Sequence, residues 1–123
     1  MHYLAFNLTE DCRRMLIERF PPAFASVYYH HVTYLYGVDE KTPLPAKPQS
    51  VRATHFVSGE PGLELLIVEV DGSNKRPDGA TYHLTLSTQD GVEPVDANRV
   101  LAENVWEALA EPIRLDVVPA LND

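Results

Sequence analysis

The chain has 123 residues, a net charge of −8 and 45% apolar residues, enough for one domain with its own core and too apolar for wholesale disorder. The acidic balance excludes a protein that coats long DNA or RNA, because phosphate binding needs clustered cations. The one cysteine, Cys12, excludes an internal disulfide and a multi-cysteine zinc site.

Residues 2–7 are short, aromatic and aliphatic and read as a first strand. Thr9 is placed to cap a helix whose first turn carries Glu10 and Asp11, where negative charge suits the dipole. Cys12, Met15, Leu16 and Phe20 recur along one helical face, and Pro21-Pro22 ends it. Residues 24–36, rich in Val, Tyr and Thr, predict a long strand. Pro43, Pro45 and Pro48 make residues 37–50 an irregular loop. Residues 51–58 and 63–70 predict a hairpin joined by Gly59-Glu60-Pro61-Gly62. Residues 71–80 are a second polar loop, and residues 81–87 another strand. After a turn at residues 91–95, Asp96 is expected to cap a helix reaching Ala110. Its buried stripe would be Ala97, Leu101, Val105 and Ala108, with Trp106 beside it. Pro112 would close that helix, residues 113–118 would form a last strand, and the remainder a tail. Two helices and about six strands predict an α+β domain over residues 1–123, with the helices on one side of the sheet.

The first residues lack a basic segment, and the longest apolar stretch, residues 63–70, carries Glu64 and Glu69. The expectation is a cytoplasmic protein with no leader and no membrane span. The oligomeric state is not legible.

Two predicted strands share one pattern, His31-Val32-Thr33-Tyr34 and His83-Leu84-Thr85-Leu86. In a strand, alternate side chains share a face. His31 and Thr33 should therefore face a groove, as should His83 and Thr85. Val32, Tyr34, Tyr36, Leu84 and Leu86 should face the core. One neutral imidazole can take a proton while an imidazolium gives one, and histidine's ordinary pKa permits both states near neutrality. Threonine hydroxyls can hold the non-bridging oxygens of a phosphodiester. That chemistry calls for no metal and no cofactor.

The paired His-x-Thr strands resemble the 2H phosphoesterase superfamily, named for two such motifs. The strand and helix before the first motif, and the helix and strand after the second, extend the resemblance over most of the chain. It implies a two-lobed, pseudo-symmetric fold in which antiparallel sheets form a concave groove with helices outside. It assigns catalytic roles to His31, Thr33, His83 and Thr85. It also implies a metal-independent phosphodiesterase acting on a 2′,3′-cyclic phosphate, a cyclic nucleotide or a short oligonucleotide, with no long nucleic acid and no membrane as partner. The chain is shorter than most members, and the segment between the motifs is compact.

Three further residues are candidate substrate contacts. Tyr29 shares the alternation of His31 and is placed to stack on a base. Ser87 shares that of His83, and Arg76 lies in the loop before the second motif, within reach of a phosphate. His30 should point to the opposite face from His31, which argues against a metal set of His30, His31 and His83. His2 and His55 receive no role. The rival readings are a nucleotide-binding module without turnover and a structural or interaction protein.

Overall fold

The computed structural model describes residues 2–123; Met1, the first residue of the expected domain, lies outside them. The elements are β1 (His2–Leu8), α1 (Glu10–Arg19), β2 (Ser26–Val27), β3 (His31–Val38), β4 (Val51–Gly59), β5 (Leu63–Val70), β6 (His83–Thr88), α2 (Ala97–Glu103), β7 (Glu107–Arg114) and β8 (Val117–Asn122), with a 3₁₀ turn over Pro94–Asp96 leading into α2. The protein is a mostly antiparallel, curled sheet with two helices, the α+β class that the sequence predicts. No helix among the described residues is long and apolar enough to cross a membrane.

The strands follow the order β7-β4-β5-β6-β3-β1-β8, with β2 pairing β6. One part of the sheet, β8-β1-β3, is tightly laddered, and so is the other, β6-β5-β4-β7. Between them β3 and β6 share one ladder pair, Val32 with Leu84. The two His-x-Thr segments therefore lie side by side at the seam where the sheet is most sparsely paired.

The predicted first helix forms, with Thr9 Oγ1 accepting from the Cys12 backbone N–H at 3.3 Å. Cys12 and Leu16 pack with Phe6, Val32, Leu66, Val68, Leu84 and Leu86 in the larger core. The hairpin also forms, and Gly62 at its turn takes a φ of +122°, a region closed to most side chains.

The helices do not share one side of the sheet. Leu65 pairs with Thr85 and Ile67 with His83, and cross-strand partners lie on one face. Leu65 and Ile67 are covered by Ala97, Val100 and Leu101 of α2. Leu66 and Val68, alternating with them, join the core under α1. So α2 packs on the face that carries the motif side chains, and α1 on the other. The cause is the near-continuous apolar run of β5, buried on both faces from Leu63 to Val68.

The second helix is shorter than predicted. It ends at Asn104, whose side chain donates to the Val100 carbonyl at 2.9 Å, and Val105 is exposed rather than buried. Residues 107–114 pair with β4 as an edge strand. Glu107, Ala108, Leu109 and Ala110 favour helix locally, but pairing with β4 overrides that weak preference. Pro112 falls between the two paired stretches of β7, where no ladder bond is lost. The expected tail is β8, laddered to β1 from Tyr3–Asn122 to Leu8–Val117.

Candidate functional site

The long strand predicted over residues 24–36 is broken. Tyr29 adopts a φ of +48°, and its N–H donates to the Thr85 carbonyl at 3.1 Å. The next pairing is Val32 with Leu84. One step along β6 thus faces three along the other chain, and His30 and His31 bulge outward. A second irregularity lies further on, where Leu4 pairs with Leu35 but Ala5 pairs with Thr33. Tyr34 is the extra residue, and it reverses the alternation beyond it.

Together these features assemble a small cleft lined by Tyr28, His30, His31, Thr33, Tyr36, His83, Thr85 and Pro94. All four motif residues are in it. Its volume is about 40 Å³, above the roughly 10–15 Å³ that a cavity needs to admit one water.

Two residues that strand parity assigned elsewhere also line it. Tyr36, expected in the core, is 54% exposed because the Tyr34 bulge turns it to the cleft face. Its hydroxyl accepts from Thr33 Oγ1 across a long 3.4 Å contact, and the Tyr3 ring lies tilted between it and His31, 5.5 and 5.1 Å from the two ring centroids. His30, expected on the opposite face, places Nδ1 2.9 Å from His31 Nδ1. Residues 28–30 are not strand, so alternation does not govern them. Pro94 arrives from the turn before α2.

The three candidate substrate contacts lie elsewhere. Tyr29 is fully buried in the core, and its hydroxyl donates to the Phe20 carbonyl. The left-handed backbone turn points it inward. Ser87 is also fully buried; its Oγ accepts from the Phe24 N–H at 3.2 Å and engages Glu64. The register shift on β6 between its pairs with Glu64 and Leu65 takes Ser87 out of the alternation of His83 and Thr85. Arg76 is buried behind Tyr36, with its guanidinium 5.3 Å from that ring's centroid and forked onto Asp78 at 3.1 and 2.7 Å. It braces the cleft wall and does not line the cleft. His55 Nδ1 meets Thr54 Oγ1 at 2.8 Å on β4, away from the site.

Both motif histidines are held neutral at neutral pH. Burial, then the neighbouring His30 and His83, pushes His31 down to about 4. Burial also lowers His83; the Thr81 carbonyl, 3.0 Å from its Nδ1, opposes that shift, and the Arg76 charge adds to it. Between pH 6.5 and about 4 the unfolded chain binds a proton at His31 that the folded chain does not, so stability falls as pH falls through that window. The His31 contribution is about 1–3 kcal/mol. Denaturant titrations from pH 7.5 to 4 should show this loss, with a shallower slope in His31→Asn. A His31→Asn slope equal to that of the wild type would contradict the assignment.

The described residues contain no group of three or more His, Cys, Asp or Glu side chains arranged to hold a metal ion. Comparison of the chain with family models, with curated proteins and with solved structures finds no match.

Proposed function

We propose that the protein is a metal-independent phosphodiesterase of the 2H type that hydrolyses a 2′,3′-cyclic phosphate, a cyclic nucleotide or a short cyclic oligonucleotide. The observation that carries this reading is the convergence of His31, Thr33, His83 and Thr85, each pair from its own strand, on one small cleft. One imidazole takes a proton from water, the water oxygen bonds to phosphorus, and a phosphorus–ribose oxygen bond breaks. The other imidazole, as imidazolium, gives its proton to the departing oxygen. One water is consumed and a phosphomonoester is formed. Thr33 and Thr85 hydrogen-bond the non-bridging oxygens. Burial disfavours the charged form of both histidines, and the negative phosphate is what favours protonation of one of them on binding.

The 2H-type pseudo-symmetry belongs to this reading and is confined to the seam. A two-fold axis that puts both motifs on one sheet face would put both helices on one face as well, and α1 and α2 lie on opposite faces. Tyr28 and Tyr36, at the cleft margin, offer π-faces to a base lying outside the phosphate space. The net charge of −8 disfavours a long polyanion and leaves a small ligand as the substrate class.

The test is a panel of 2′,3′-cyclic and 3′,5′-cyclic mononucleotides and cyclic di- and trinucleotides, each with and without EDTA. Turnover of at least one that persists in EDTA is expected. Loss of turnover in EDTA, restored by a divalent ion, would overturn the metal-independent mechanism. Binding without turnover would mark a nucleotide-binding module, and no binding at all a structural protein.

A further inference from the structure

Resting on the acid–base reading above, we infer that His30 is a positioning residue that fixes the tautomer of His31 and so makes His31 the general base and His83 the general acid. The two motif histidines are held in different ways. His83 Nδ1 lies 3.0 Å from the Thr81 carbonyl. A carbonyl only accepts, so the Nδ1 proton is fixed in both charge states, and the tether favours the imidazolium. That suits a residue that must carry a proton into the reaction.

His31 Nδ1 instead faces another imidazole nitrogen, His30 Nδ1, at 2.9 Å. Either nitrogen can be the donor, and the choice decides what His31 presents at its other nitrogen. If His31 donates, its Nε2 keeps a lone pair and can accept a proton from water. If His30 donates, His31 carries its proton on Nε2 and has no lone pair for the task. His30 is exposed, so its own Nε2–H is solvated when its Nδ1 accepts, and the first arrangement leaves no polar group unpaired. It also survives the reaction: as His31 gains its second proton, Nδ1–H still points at an acceptor. A proton on His30 abolishes this arrangement, because imidazolium can only donate.

No carboxylate lines the cleft among the described residues to take this part. The other titratable and charged groups around the pair are Tyr3 from β1, 5.1 Å from the His31 ring, Tyr28, Tyr36 on β3, His83 on β6, and Arg76 behind Tyr36. Glu93 and Asp96 flank Pro94, and their carboxylates cap that turn. His30 thus orients the base as a third group does in other acid–base pairs. The His-His doublet carries it there only because the bulge before Val32 turns both rings outward.

The experiment joins nitrogen NMR of histidine-labelled protein at pH 7.5 with kinetics on the best substrate of the cyclic-nucleotide panel. In the wild type, His31 should carry its proton on Nδ1. His30→Phe should move it toward Nε2, and His30→Asn, which keeps an acceptor near the same place, should restore it. His30→Phe should lower kcat at least about tenfold with KM little changed, and His30→Asn should recover most of that loss. A wild-type His31 protonated on Nε2, or a tautomer unmoved by His30→Phe, would overturn the inference. The expected tautomers without turnover of any panel member would uphold the positioning by His30 and overturn the phosphodiesterase reading.

Discussion

Replacing His31 or His83 with alanine is expected to lower kcat by about 10²–10⁴-fold, the range for loss of a general acid or base. Both side chains point into the cleft while their neighbours Val32 and Leu84 fill the core, so the fold should persist, as circular dichroism can verify. The double mutant should be little worse than either single, because in the proposed mechanism acid and base serve one transition state and such losses do not add. Thr33→Val and Thr85→Val should do less damage, each removing one hydroxyl from the proposed phosphate site. The measurement is kcat of the single mutants on a member of the proposed cyclic-nucleotide panel that the wild type turns over. Near-wild-type turnover by either correctly folded histidine mutant would break the paired assignment.

Tyr29→Ala is expected to cost about 3–5 kcal/mol of stability, as for other large buried aromatics. The side chain is fully buried and packs in the main core between α1 and the seam strands. Tyr29→Phe keeps the volume but leaves the Phe20 carbonyl without its donor, a loss of about 1–3 kcal/mol if that carbonyl stays dry. Chemical denaturation gives both values. Because Tyr29 does not line the cleft, the folded Tyr29→Phe protein should keep the wild-type KM. A raised KM with unchanged stability would return Tyr29 to the substrate-contact role that its place in the sequence suggests.

Tyr29 shows where parity reasoning fails. Counting two residues back from His31 puts Tyr29 on the cleft face and His30 opposite, and the reverse is true. The count presumes an unbroken strand, and nothing local announces a tyrosine with positive φ or two residues bulged against one step of β6. The same fault misplaces Tyr36, which lies beyond the Tyr34 bulge. Ser87 lies beyond the register shift on β6 and fails the same count; Arg76 fails because a polar loop residue reads as available, and only the packed structure reveals its partner.

Other features were legible because their causes are local. Thr9 with Glu10 and Asp11 marks the start of α1, the Gly-Glu-Pro-Gly turn marks the β4–β5 hairpin, and the alternation within each His-x-Thr segment separates core from cleft. The run from Leu63 to Val68 reads as a strand but not as one covered on both faces, so the helices are expected on one side, whereas α1 and α2 take opposite sides. What the residues alone determined are these short elements and the chemical types of the four motif side chains. The tertiary structure decided the rest: the meeting of β3 and β6 at one ladder pair, the strand formed by residues 107–114 despite their helical composition, and the turning of His30 and Tyr36 into the cleft. Each depends on hydrogen bonds and packing between segments far apart in the chain, whose energies exceed the local preferences that a sequence displays.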